Sequence, residues 1–145
     1  MTQLAFDFST RDATPVSPAT AQSDNRRSRG AMAYHGGAAA EAQVASDYER
    51  RGFNQHSARW RGRGGEIDLV FRDGDGLIFV EVKRSRSFDR AAARLSRTQM
   101  NRIYTSAAEY LDQMPRGSLT EVRFDVALVN GHGETRIIEN AFGMD

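Results

Sequence analysis

Residues 66–83 read EIDLVFRDGDGLIFVEVK: two runs of strand-forming residues, Glu66 to Arg72 and Leu77 to Lys83, on either side of Asp73-Gly74-Asp75-Gly76. Branched and aromatic residues fill both runs, and a Gly-Asp loop between such runs signals a tight hairpin. A two-residue loop at Gly74-Asp75 would set Asp68 across from Glu81 and Glu66 across from Lys83. Side chains two apart on a strand share a face. Glu66, Asp68, Glu81 and Lys83 are therefore expected to project together, with Ile67, Leu69, Val80 and Val82 forming the apolar reverse.

Two acids opposed on neighbouring strands repel, and the pair costs stability unless a cation or a proton sits between them. An all-oxygen donor set without cysteine or clustered histidine favours a hard ion, Mg²⁺ or Mn²⁺. Such an ion can polarise a phosphoryl oxygen and acidify a water, and a nearby ammonium can orient that water or stabilise developing charge. Lys83 is the one lysine in a chain with 19 arginines. Its compact, tunable charge differs in kind from a guanidinium fork, which marks the position as one that needs an ammonium. The competing reading is a solvated hairpin face on which Glu66 and Lys83 form a surface ion pair worth little.

Outward from the hairpin, residues 38–51 (AAAEAQVASDYERR) favour helix, with Val44, Ala45 and Tyr48 on one stripe, Glu41 near the start and Gly52 as the stop. Phe53 to Trp60 reads as an extended segment, and RGRGG breaks the chain before the hairpin. From Ser96 to Met114, apolar residues Met100, Ile103, Ala107, Tyr110, Leu111 and Met114 recur at helical spacing up to Pro115. Val122, Phe124, Val126 and Leu128 then alternate as in a half-buried strand, and Gly131-His132-Gly133 leads into a last strand from Thr135 to about Ile138. The expected class is α/β. Residues 1–30 hold two of the three prolines and much Ser, Thr, Asp and Arg, the composition of a disordered tail; residues 31–145 form the folded domain.

Composition narrows the function. The 145 residues carry no cysteine, which excludes a disulfide scaffold and thiolate metal sites and fits a cytoplasmic protein. No apolar run reaches the roughly 18 residues of a membrane span, and no secretory signal is evident. The formal net charge is only +1, yet ten arginines and Lys83 fall between residues 59 and 102 against six acids. Positive charge gathered around a carboxylate site points to a polyanionic partner such as nucleic acid. Arg61, Arg63, Arg84, Arg86 and Arg97 are the candidate phosphate contacts. The alternative is a solvated arginine-rich face.

Several motifs carry a family resemblance. Gly37 through Glu41 with Ala45, Tyr48, Arg51, Gly52 and Phe53, then Trp60-Arg61, Gly65-Glu66-Ile67-Asp68-Leu69, Phe79-Val80-Glu81-Val82-Lys83 and Arg123-Phe124-Asp125-Val126 resemble the YraN family, small bacterial proteins with a restriction-endonuclease-like fold of the PD-(D/E)XK type. The resemblance spans about Gly36 to Val129. It implies a central mixed sheet flanked by helices, Asp68, Glu81 and Glu41 as metal ligands for Mg²⁺ or Mn²⁺, and Lys83 as the catalytic ammonium. It thereby implies a metal-dependent endonuclease, with branched or structured DNA as a candidate substrate. The proline that precedes the acid in the wider superfamily is Ile67 here. A non-catalytic nucleic-acid-binding accessory of DNA repair, recombination or replication is the alternative, and a structural adaptor solubilised by its arginines is a third.

Some residues keep two readings at this stage. Glu41 suits a helix first turn as well as a metal, Asp125 is either structural or a support to the site, and Gln99 with Tyr104 fits either helix-start polarity or an active-site role. His35, His56 and His132 show no ligand spacing and read as surface groups. Gln3 to Phe8 (QLAFDF) resembles peptides that dock DNA-processing proteins onto the bacterial sliding clamp.

Overall fold

The computed structural model describes residues 37–142. The tail over residues 1–30, its Gln3 to Phe8 motif and His35 lie outside the described residues. Helix α1 covers residues 37–50 and is followed by β1 (Asn54–Gly62), β2 (Gly65–Asp73) and β3 (Gly76–Arg84). A short helix α2 (Phe88–Ala93) and the longer α3 (Arg97–Tyr110) then lead through two 3-10 turns to β4 (Val122–Val129) and β5 (Thr135–Ile138).

The five strands form one sheet in the order β1-β2-β3-β4-β5. Every pairing is antiparallel except β3 with β4, which is parallel and is connected through α2 and α3. Parallel neighbours require such a crossover. The sheet is therefore mixed and covered by helices, as the sequence implied.

Periodicity explains how the layers close. Val44 and Tyr48 of α1, four residues apart, pack with Leu69, Phe71, Ile78, Val80, Ala127 and Val129 on one face. Ile103, Ala107 and Tyr110 of α3 pack with Ile67, Val70, Leu77, Phe79 and Phe124 on the other. Both central strands are thus buried on two sides, which accounts for their nearly unbroken apolar runs. Strand β4 is buried from Phe124 to Val129 rather than half-buried, because Leu128 and Val126 meet α2 while Ala127 and Val129 meet the α1 layer.

Two expectations are refined, and one helix is added that the sequence reading does not contain. Helix α3 ends at Tyr110, and residues 111–113 tighten into a 3-10 turn before Pro115. Helix α2 has no strong periodic signal at six residues and is set by its cap, the Ser87 hydroxyl accepting the Arg90 amide. The hairpin register holds from Asp73–Gly76 to Leu69–Val80, but the ladder stops there, so the Asp68–Glu81 and Glu66–Lys83 pairings expected from it are not made.

Candidate active site

The ladder stops because β2 changes face at Asp68. Ile67 and Leu69 lie two apart yet pack in opposite layers, so the period-two alternation fails at the residue between them. On the neighbouring strand Arg59 occupies the same interval, between the Ala58–Leu69 and Trp60–Ile67 pairs, with φ of 52°. A bulky side chain in the left-handed region is strained and uncommon. The strands here bend to re-aim side chains, a frequent device beside functional sites.

The bend frees the Val82 amide from a strand carbonyl, and it donates instead to Asp68 Oδ2 at 2.8 Å. Glu81, one residue earlier on β3, is buried; its Oε2 accepts from Lys83 Nζ at 3.0 Å and from Gln99 Nε2 at 2.7 Å. Gln99 is aimed by its own helix start: the Ser96 hydroxyl accepts the Gln99 amide at 3.1 Å and fixes the first turn of α3. Gln99 thus belongs to the helix start and also contacts Glu81. Tyr104 is different, since its ring packs against Phe124 and Phe142.

Burial and mutual repulsion dominate the electrostatics. Removal from water, then the neighbouring Glu81 carboxylate, push Asp68 up to about 8, against a smaller opposing effect of the Val82 hydrogen bond. Burial also raises Glu81, although Lys83 opposes it. Glu41 is raised by burial and lowered by Arg59, whose Nε donates to Glu41 Oε1 at 2.9 Å. Two half-desolvated acids and an adjacent ammonium make a site that gains from a proton or a cation.

Asp68 and Glu81 open onto a cleft of about 460 Å³ walled by Gly64, Gly65, Ser96, Thr98, Gln99 and Arg102. Its outer lip is the β1–β2 hairpin tip, pressed onto α3. A Cβ at Gly64 would lie 2.3 Å from the Arg102 carbonyl oxygen, so only glycine permits this approach. Ser106 Oγ donates to the Gly65 carbonyl at 2.8 Å, and the Arg63 amide donates to Glu109 at 2.8 Å, pinning the lip. Arg61, Arg63, Arg84, Arg86, Arg97 and Arg102 are exposed. Chain order gathers them at one end of the sheet, where β1 ends, β2 begins, β3 ends and α3 begins.

The donor chemistry suits a hard divalent ion, which commonly takes one or two protein carboxylates and keeps several waters. Asp68 and Glu81 would supply those two. Among the described residues, no three His, Cys, Asp or Glu side chains stand together as a complete ligand set. Glu41 lies near enough to raise the proton affinity of both acids, but its carboxylate is engaged with Arg59.

Other candidates fall elsewhere. Asp125 is fully buried and structural: it accepts from the Tyr48 hydroxyl at 2.6 Å, from Arg123 twice at 2.9 Å and from the Asn140 amide at 2.8 Å. His56 is half-buried against Tyr110, with which its Nδ1 shares a short hydrogen bond, and is not a surface group; His132 is exposed. The Arg59–Glu41 pair and the place of Arg102 in the cleft wall had no signal in the sequence, because both depend on where β1 and α3 dock.

A mixed, helix-flanked sheet with an acid pair and an ammonium where two strands part defines the class, an α/β domain of the plan the YraN resemblance implied. The chain belongs to that family: residues 40–129 match the family described as Uncharacterised protein family UPF0102. A UPF0102 protein of Ruegeria pomeroyi is 56% identical over 116 residues, covering 80% of this chain and 94% of the relative. One from Roseobacter denitrificans is 51% identical over 120 residues, covering 83% and 93%. One from Dinoroseobacter shibae is 47% identical over 137 residues, covering 94% and 98%. No helix among the described residues is long and apolar enough to cross a membrane.

Proposed function

We propose that the protein is a cytoplasmic metal-dependent endonuclease that hydrolyses DNA phosphodiester bonds. The observation that carries this reading is the pair of acids Asp68 and Glu81, both raised by burial, on one open cleft, with the Lys83 ammonium bonded to Glu81. Asp68 and Glu81 would hold Mg²⁺ or Mn²⁺, with Glu41 in reserve, and the ion supplies polarisation of a phosphoryl oxygen and acidification of water. Glu81 accepts from both Gln99 and the Lys83 ammonium, which fixes the three side chains relative to one another. Lys83 orients the attacking water and stabilises charge on the phosphoryl oxygens. Arg61, Arg63, Arg84, Arg86, Arg97 and Arg102 receive the phosphate backbone on either side.

The candidate substrate is branched or otherwise structured DNA. The test is cleavage of end-labelled single-stranded, duplex, flapped and four-way-junction DNA with Mg²⁺ and then Mn²⁺, by wild type and Asp68→Asn. Cleavage by wild type alone supports the reading. An inert wild type that still binds DNA would replace it with the non-catalytic accessory.

A further inference from the structure

Arg59 reaches the acid site from the edge strand through a conformation that arginine rarely adopts, and its Nε meets Glu41 Oε1 at 2.9 Å. Both side chains are partly shielded, at 37% and 20% exposure, so the contact is neither a loose surface pair nor a buried one. We propose that Arg59 is a positioning residue that holds Glu41 in an ion pair, out of the metal shell, and so sets the affinity of the Asp68–Glu81 pair for a divalent cation.

Three observations converge on this. Glu41 is the remaining acid whose charge is felt at both Asp68 and Glu81. It stands on α1, which Val44 and Tyr48 anchor to the sheet. The left-handed backbone at Arg59 falls opposite the bend at Asp68, so the feature that aims Asp68 into the cleft also aims Arg59 at Glu41. An ion pair of this exposure gives way to a stronger competitor. A divalent cation attracts the same carboxylate and repels the guanidinium, and the cost of separating the pair is subtracted from its binding.

The inference rests on the metal site of the proposed function. It is tested by calorimetric titration of the full chain with Mn²⁺ alone, in wild type, Arg59→Asn, Arg59→Lys, Glu41→Gln and the Arg59→Asn/Glu41→Gln double variant. Asparagine tolerates the left-handed conformation and removes only the charge and reach of Arg59. Arg59→Asn is expected to bind Mn²⁺ on the order of fivefold tighter, Arg59→Lys to stay close to wild type, and the double variant to bind no tighter than Glu41→Gln. Wild-type binding with Arg59→Asn unchanged or weaker, or a gain that survives Glu41→Gln, would overturn the role of Arg59 and leave the metal site standing. Absence of Mn²⁺ binding in every protein would overturn both.

Discussion

The backbone amide of Val82 is bonded to the carboxylate of Asp68 at 2.8 Å, at the point where β2 and β3 stop pairing. A side chain there does the work of a strand carbonyl. It satisfies a buried donor that the bend would leave unpaired, and it holds one Asp68 oxygen while the carboxylate faces the cleft.

The burial of Asp68 makes stability depend on pH. The folded state holds the proton of this carboxyl more tightly than the unfolded chain does, so its contribution is full in acid and is lost as pH rises from 3.8 through about 8. Urea unfolding in the presence of a chelator should show a lower midpoint at pH 8 than at pH 5.5. Asp68→Asn should flatten that slope and be the more stable protein at pH 8, by on the order of 2 kcal/mol. Mn²⁺ at pH 8 should recover part of the loss in wild type and little in the variant.

Asp125 is more deeply buried than Asp68 and bonded on every side, so removing a partner should cost stability without touching chemistry. Tyr48→Phe deletes the 2.6 Å hydroxyl bond and leaves the carboxylate with Arg123 and the Asn140 amide. Thermal unfolding should register a loss of about 1–2 kcal/mol, with DNA binding unchanged.

The hairpin lip depends on the absence of a side chain. Gly64→Ala forces a methyl against the Arg102 carbonyl, a backbone atom that cannot swing away. Destabilisation of about 1–3 kcal/mol is expected, accompanied by weaker DNA binding as the lip lifts from α3. Gly65 has nothing near a Cβ but a φ of 130°, so strain alone would oppose alanine there.

Arginines at the cleft mouth should act through phosphates. Arg63→Gln and Arg102→Gln should each weaken binding uniformly across DNA sequences and reduce the salt slope of log K by about 1. A sequence-dependent loss in filter binding would indicate contact with bases instead.

The sheet, α1 and α3 were legible because period-two and period-3.6 patterns report directly on which faces are buried. The Gly74-Asp75 loop, the α1 stripe and the Thr135–Ile138 strand all follow from such local signals. Local signals stop where two elements meet. The face change at Asp68 leaves no mark in an alternating run, since Ile67 and Leu69 are both apolar whichever layer receives them. Asp125 could not be distinguished from Asp68 by pattern, because partners such as Tyr48 lie 77 residues away. The family resemblance names Glu41, but its engagement with Arg59 depends on how β1 docks.

The central claim is that Asp68, Glu81 and Lys83 form one hydrolytic centre. The most direct measurement is the single-turnover rate of Mn²⁺-dependent cleavage of a labelled branched DNA by wild type, Asp68→Asn, Glu81→Gln and Lys83→Met, with binding of the same DNA measured in parallel. The account predicts rates at least about a hundredfold lower in all three variants, with DNA affinity retained. Wild-type rates in Lys83→Met or Asp68→Asn, or no cleavage by wild type, would contradict it.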